Sequence, residues 1–320
     1  MPQPYDLSLD QLRTYKPGLT RQHDFDDFWE GTLDELSTVP MTYDLVPYSY
    51  PVKGVMVYRI TFSGFLNAPI DGWLALPAGE GPHPGLVLYH GYNWAFDGRL
   101  HETVNWALRG YASLQMLVRG QQGDSVDNVV PSHGGTAGWM TKGIMSPEEY
   151  YYRAVYMDAV RAIDILASLD QVDAKRIAVA GDSQGGALTL AAAALSDLPA
   201  LALAEYPYLS NFERAIDLAP KGPYLEINEY FRRNSNPAIE DMAKRTLSYF
   251  DVMNLASRIQ CHTWMCVGLV DEITPPSTVF AAYNHLQCSK EMHVYRYFGH
   301  EPIPATVEPR LQLLKDRLQS

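Results

Sequence analysis

Two hydrophobic periodicities divide this chain. Around residues 55–62 and 70–77 apolar and polar positions alternate with period two, which predicts two half-buried antiparallel strands. Further on, alternation gives way to short, unbroken apolar runs at residues 84–89, 112–118, 176–180, 201–206 and 263–267. Runs of that length suit strands covered on both faces, as in a parallel sheet flanked by helices. Helical stretches separate them, at residues 151–169, 186–195 and 279–286, and an alternating strand over 292–297 closes the series. Strands and helices alternate with no Ser/Gly-rich linker, so residues 1–320 are expected to form a single α/β domain built on a mostly parallel, doubly wound sheet.

Three segments stand outside that rhythm. Ser8 and Gln11 have capping-box spacing, and Phe25, Phe28, Trp29 and Leu33 share a helix face, so residues 1–40 are expected to form a helical arm. Residues 119–149 are polar and Gly-rich and leave the carboxyl end of a strand, where ligands of such sheets bind. Residues 208–260, rich in Tyr, Phe, Asn and Arg, are expected to form a cap-like insertion over the site. Surface packing or a subunit contact would account for either of the last two as well.

The densest chemical signal is Gly181-Asp182-Ser183-Gln184-Gly185, a G-x-S-x-G between the run 176–180 and the Ala-rich helical stretch 186–195. A strand passing into a helix through five residues forces a sharp turn at the serine, and the glycines allow the close packing that turn demands. This is a nucleophile elbow, and it points to an α/β-hydrolase fold. A serine hydroxyl is a poor nucleophile at neutral pH, so a base, an acid to orient it and oxyanion donors are required as well.

In that fold the acid and the histidine follow the serine. His262 opens an apolar run, His285 lies in a helical stretch and His293 lies inside a strand. His300 follows the last strand after Phe298-Gly299, where a loop brings an imidazole over the carboxyl edge of the sheet. Asp271 is the first polar residue past the run Val267-Gly268-Leu269-Val270, and Pro275 and Pro276 behind it stiffen its loop. It is preferred to Glu272 on that ground, and to a helix N-cap role because Pro275 and Ser277 intervene before the next helix. The run 84–89, read as the third strand, ends in His90-Gly91, so the backbone N–H groups of Tyr92 and Gln184 are the expected oxyanion donors. His90, at a strand end before the serine, is expected to pack or hydrogen-bond.

The formal charge of −12 with no basic patch disfavours nucleic acid or an anionic membrane as partner, and suits a neutral small molecule. Met1 to Asp6 lack the basic start and apolar core of a secretory signal, which leads to the expectation of a cytoplasmic protein. Three cysteines, Cys261, Cys266 and Cys288, do not suggest a disulfide framework, and the first two are spaced to face opposite sides of a strand, unlike a metal pair. H-E-x-x-H, P-loop and G-x-G-x-x-G motifs are missing, so neither metal nor cofactor is expected. Residues 188–203 are interrupted by Asp197 and Pro199 and read as a buried helix followed by a strand.

Arg119-Gly120-Gln121, Gly181-x-Ser183-Gln184-Gly185 and His300-Glu301 together resemble the three signature motifs of carbohydrate esterase family seven, the acetyl xylan esterases and cephalosporin C deacetylases. The likeness extends over nearly the whole chain, through Asp6-Leu7-Ser8-Leu9, Gly138-Trp139-Met140-Thr141-Lys142-Gly143 and Tyr206-Pro207-Tyr208-Leu209-Ser210-Asn211-Phe212. It implies deacetylation of short xylooligosaccharides, cephalosporin C and other small acetyl esters, without cofactor, by a ring-shaped homo-hexamer whose sites face an internal chamber. It implies the same roles for Ser183, Asp271, His300, Tyr92 and Gln184, and adds Arg119 and Gln121 as braces of the surrounding loops and Glu301 as a supporting residue. Gln122 and Pro302 stand where glycine and an aromatic are common in the family, which bears on loop shape and substrate preference. Tyr92, the Tyr-rich insertion and the Trp139 segment are expected to roof the acyl side. A serine peptidase on the same fold would share the triad, and a scaffold with a degenerate site is the other rival. The three-part signature disfavours the first, and the presence of every catalytic element the second.

Overall fold

The computed structural model describes residues 5–319. The reading of the amino terminus as no secretory signal falls largely on residues 1–4, outside that range. Among the described residues nine strands form one sheet: β1 (Tyr43–Tyr48), β2 (Val55–Ser63), β3 (Pro69–Pro77), β4 (His83–Tyr89), β5 (Ala112–Met116), β6 (Val172–Asp182), β7 (Pro199–Glu205), β8 (His262–Gly268) and β9 (Lys290–Tyr295). Their order is β1-β2-β3-β5-β4-β6-β7-β8-β9. The first four in that order pair antiparallel, and from β5 onward all pairs are parallel.

The antiparallel edge has three strands where the sequence predicts two, so the run 84–89 is the fourth strand and not the third. β1 lacks the signal because its residues are almost all exposed and it contains Pro47, both tolerated at a sheet edge. The unbroken runs are strands buried on both faces. On β4, Val87 and Tyr89 join the core beneath helices Tyr151–Ala167 and Gln184–Leu195. Leu86 and Leu88 join the opposite core, closed by Leu314 and Leu318 of helix Val307–Leu318. Helix Gln184–Leu195 is buried on every side, which only a run of small and apolar residues permits. Among the described residues no helix is long and apolar enough to cross a membrane.

The capping box at Ser8 and Gln11 closes helix Leu9–Thr14, and helix Phe25–Thr38 follows. Trp29 of the latter is fully buried, lies against the Tyr156 and Phe250 rings and donates from Nε1 to the Tyr249 carbonyl at 3.1 Å. The amino-terminal arm therefore docks on helix Pro237–Phe250, part of the insertion that separates β7 from β8.

His90 fastens the carboxyl end of β4 to that of β5. The Val118 N–H donates to its Nε2 at 2.9 Å, which fixes the proton on Nδ1, and Nδ1–H donates to the Gly91 carbonyl at 2.7 Å. Complete burial pulls its pKa down to about 4, from an ordinary 6.5. The folded state thus resists a proton that the unfolded chain accepts. The stabilisation is complete above the unfolded pKa and is lost as pH falls toward the folded one. In urea titrations at about pH 7 and about pH 4.5, His90→Asn is expected to lose less stability on acidification than the wild type, by on the order of 2–3 kcal/mol. Equal losses in the two proteins would contradict this role.

Candidate active site

Ser183 terminates β6 at φ 57° and ψ −118°, a conformation costly for a residue with a side chain. Two glycines permit it. A Cβ on Gly185 would lie 2.0 Å from the Tyr89 carbonyl oxygen, and one on Gly181 would lie 2.5 Å from the Gly185 carbonyl carbon. The turn is held by Ser183 N–H donating to the Glu205 carbonyl at 3.0 Å, while the Ser183 carbonyl accepts from Ala187 and Tyr208 N–H. These bonds leave the hydroxyl, and no backbone group of the serine, facing the imidazole.

The loops after β8 and β9 bring the other two residues to it. The Ser183 hydroxyl lies 2.8 Å from His300 Nε2, and His300 Nδ1 lies 2.8 Å from Asp271 Oδ2. Because a carboxylate only accepts, Nδ1 carries the proton and donates it, leaving the Nε2 lone pair directed at the serine O–H. Asp271 is fully buried, and its charge is met by three further donors: Ile273 N–H at 2.8 Å, Thr274 N–H at 2.9 Å and Thr274 Oγ1 at 2.7 Å. The Tyr206 ring stands 5.0 Å from the imidazole at 67°, fixing its plane. Such an arrangement can withdraw a proton from serine and hold the resulting imidazolium against a buried anion.

Of the expected oxyanion donors, Tyr92 lies in the loop after β4 and lines the cavity with Ser183, and Gln184 is the helix residue that follows the serine. Among the described residues neither backbone N–H donates to a protein acceptor. Gln121 connects the two: its Oε1 accepts from Asn93 N–H at 2.8 Å, and its Nε2 donates to Gln184 Oε1 at 2.9 Å. Tyr152 O–H donates to the same Gln184 oxygen at 2.9 Å. Arg119 acts farther off. Fully buried, it pairs with Asp158 through Nε at 2.6 Å and Nη2 at 2.8 Å and donates to the Phe65 carbonyl at 3.0 Å, anchoring the root of the 119–149 segment.

Two expectations need correction. Trp139 does not roof the cavity around Ser183; it packs edge-on against the Tyr92 ring at 5.4 Å, and its N–H donates to the Tyr92 hydroxyl at 2.7 Å. That hydroxyl in turn donates to Glu226 Oε1 at 2.7 Å, so Trp139 and Glu226 stand behind Tyr92. Of the insertion, Tyr208 and Pro223 reach the cavity, and helices Tyr224–Arg233 and Pro237–Phe250 do not. Glu301 is exposed at the rim, where its carboxylate accepts from Gly299 N–H at 3.1 Å.

The cavity holds about 610 Å³ and has Ser183 and His300 in its wall. Sequence reasoning missed two ion pairs beside them. Arg99 clamps Asp182, the neighbour of the serine, through both terminal nitrogens, and Arg310 pairs with Glu205. No local pattern could signal them, since the partners lie 83 and 105 residues apart. Cys261, Cys266 and Cys288 are free thiols, and among the described residues no group of three or more His, Cys, Asp or Glu could hold a metal ion.

The family model of acetyl xylan esterase (AXE1) matches residues 2–317. An acetyl xylan esterase structure from Paenibacillus sp. R4 superposes with a TM-score of 0.94 at 43% identity, covering 98% of this chain and 100% of that one. The structure of acetyl xylan esterase 1 from Thermoanaerobacterium sp. JW/SL YS485 superposes with the same score at 36% identity and the same coverage. The acetyl esterase Axe7A of Xylanibacter ruminicola is 28% identical over 281 residues, 86% of this chain; the aligned part spans 63% of that relative's length. With the family match spanning nearly the whole chain and both superpositions in agreement, the chain belongs to the acetyl xylan esterase family, carboxylic ester hydrolases on the α/β-hydrolase fold.

Proposed function

We propose that this chain is a serine esterase that removes acetyl groups from short acetylated xylooligosaccharides and other small acetyl esters, cephalosporin C included. The observation that carries the reading is the pair of 2.8 Å contacts linking Ser183, His300 and Asp271. His300 takes the proton as Ser183 Oγ attacks the acetyl carbonyl, and Asp271 stabilises the imidazolium. The backbone N–H groups of Tyr92 and Gln184 hold the oxyanion. The sugar oxygen leaves with the proton from His300, and water then repeats the sequence on the acyl-enzyme to release acetate. The low solvent exposure of Ser183, 8%, and the full burial of Asp271 strengthen each of these interactions.

The family reading also carries a homo-hexamer acting in the cytoplasm on imported fragments. In favour of a subunit contact stand the exposed apolar side chains of the antiparallel edge, Val46, Tyr48 and Met56. Light scattering on the purified protein is expected to give the mass of six chains, and a monomer would remove the assembly from the account.

Ser183→Ala is expected to abolish turnover of a chromogenic acetate ester, by roughly 10⁴-fold or more, with the urea midpoint nearly unchanged. Near wild-type activity would refute the proposed nucleophile. Tyr92, Tyr208, Pro223 and Ile273 line the cavity, and in this reading they face the acyl group. Crowding by these side chains is expected to leave room for a methyl group, so kcat/KM falls from acetate to butyrate to octanoate nitrophenyl esters. An open apolar pocket would instead gain roughly 0.8 kcal/mol per buried methylene, and octanoate turnover equal to that of acetate would show one.

A further inference from the structure

We propose that Trp94 and Phe96 are specificity-determining residues of this site, the surface on which the sugar that carries the departing oxygen is seated. The inference rests on the esterase reading above and assigns the substrate's alcohol portion to particular side chains.

An acetyl group fills a small fraction of a cavity of about 610 Å³, so most of the space belongs to the rest of the ester. Trp94 and Phe96 line it while remaining 58% and 72% exposed, their ring centroids 4.7 Å apart at 72°. Two large aromatic side chains left open beside a reactive serine form an apolar surface that needs a cover. A pyranose supplies one: its C–H face is apolar and meets the electron-rich face of an aromatic ring, while its hydroxyls point outward around the rim.

The polar part of the same wall is matched to those hydroxyls. Arg99 is paired with Asp182, and Arg310 with Glu205. Each cation already has its anion, and Glu102 and Glu301 line the same cavity, so the wall offers hydrogen-bond donors and acceptors but no unpaired arginine. It therefore favours a neutral polyol over an anionic ligand, which would have to displace a formed pair. Geometry links this surface to the chemistry. Trp94 and Phe96 follow Tyr92 on one loop, Trp94 N–H donates to the Gly91 carbonyl at 3.0 Å, and Arg99 at the loop's end grips the residue before Ser183. A sugar seated on the aromatic pair is thereby held in register with the serine and the oxyanion donors.

The test compares two esters on the wild type, Trp94→Ala, Phe96→Ala, the double variant and Trp94→Tyr. Acetylated xylobiose carries the sugar; ethyl acetate does not. The double variant is expected to lower the preference for acetylated xylobiose over ethyl acetate, as the ratio of kcat/KM, at least tenfold and mainly through KM, with Trp94→Tyr retaining most of it. Calorimetric titration of xylobiose into the wild type should give binding that the double variant loses. An unchanged ratio, whether both esters fall together or neither does, would overturn the proposal, as would undiminished xylobiose binding in the double variant. A wild type that hydrolyses neither ester would instead refute the esterase reading.

Discussion

Between Asp182 and Gln184 the chain passes from a buried strand into a buried helix within a single residue, and only a positive φ at Ser183 achieves it. A serine held there costs on the order of 1–3 kcal/mol, which surrounding contacts must over-determine. They do so on every side. Gly181 and Gly185 leave the space that the approach of Tyr89 needs, and Glu205 takes the serine N–H. Arg99 holds the preceding Asp182, and Tyr208 donates to the serine carbonyl. Most of the site's order follows from this one turn. It lifts the hydroxyl toward His300, leaves the Gln184 N–H without a protein acceptor at the start of a helix, and turns Asp182 toward the cavity.

Electrostatics completes what the turn begins. Carboxylates sit close together under this cleft, and each has its own compensation: Asp271 has two backbone donors, the Thr274 hydroxyl and the imidazole, Asp182 has Arg99, and Glu205 has Arg310 and Thr306. Removing any one partner would strand a charge in a poorly solvated place. In a chain of net charge −12, this pairing leaves Asp182, Glu205 and Asp271 each matched beside the cavity. Behind the front row, Gln121 links the Tyr92 loop to Gln184 and Glu226 holds the Tyr92 hydroxyl, so both proposed oxyanion donors are positioned from segments far apart in sequence.

What the sequence made legible was local. The G-x-S-x-G between an apolar run and an Ala-rich stretch, the Asp just past β8 and the His just past β9 each carry their signal within a few residues. The strand runs were legible because both faces are buried, and β1 was not, because an exposed edge strand containing Pro47 has no core to encode. Bulk alone suggests Trp139 for the cavity roof, but its place behind Tyr92 is decided by a hydrogen bond across 47 residues. Arg99, Arg310 and Tyr206 have no sequence pattern that separates them from surface or core residues of the same type. They meet the site through β6, β7 and the carboxyl-terminal helix, and the sheet order that joins those elements had to be seen.

The central claim is that Ser183 becomes acylated during turnover. Rapid acid quench of the enzyme with nitrophenyl acetate in the first turnover, followed by peptide mass mapping, tests it most directly. The account predicts a single added acetyl group on the peptide bearing Gly181-Asp182-Ser183-Gln184-Gly185, formed with the burst of nitrophenol and lost as acetate is released. Turnover with no acetylated peptide at the burst, or with the acetyl group on another residue, would contradict it.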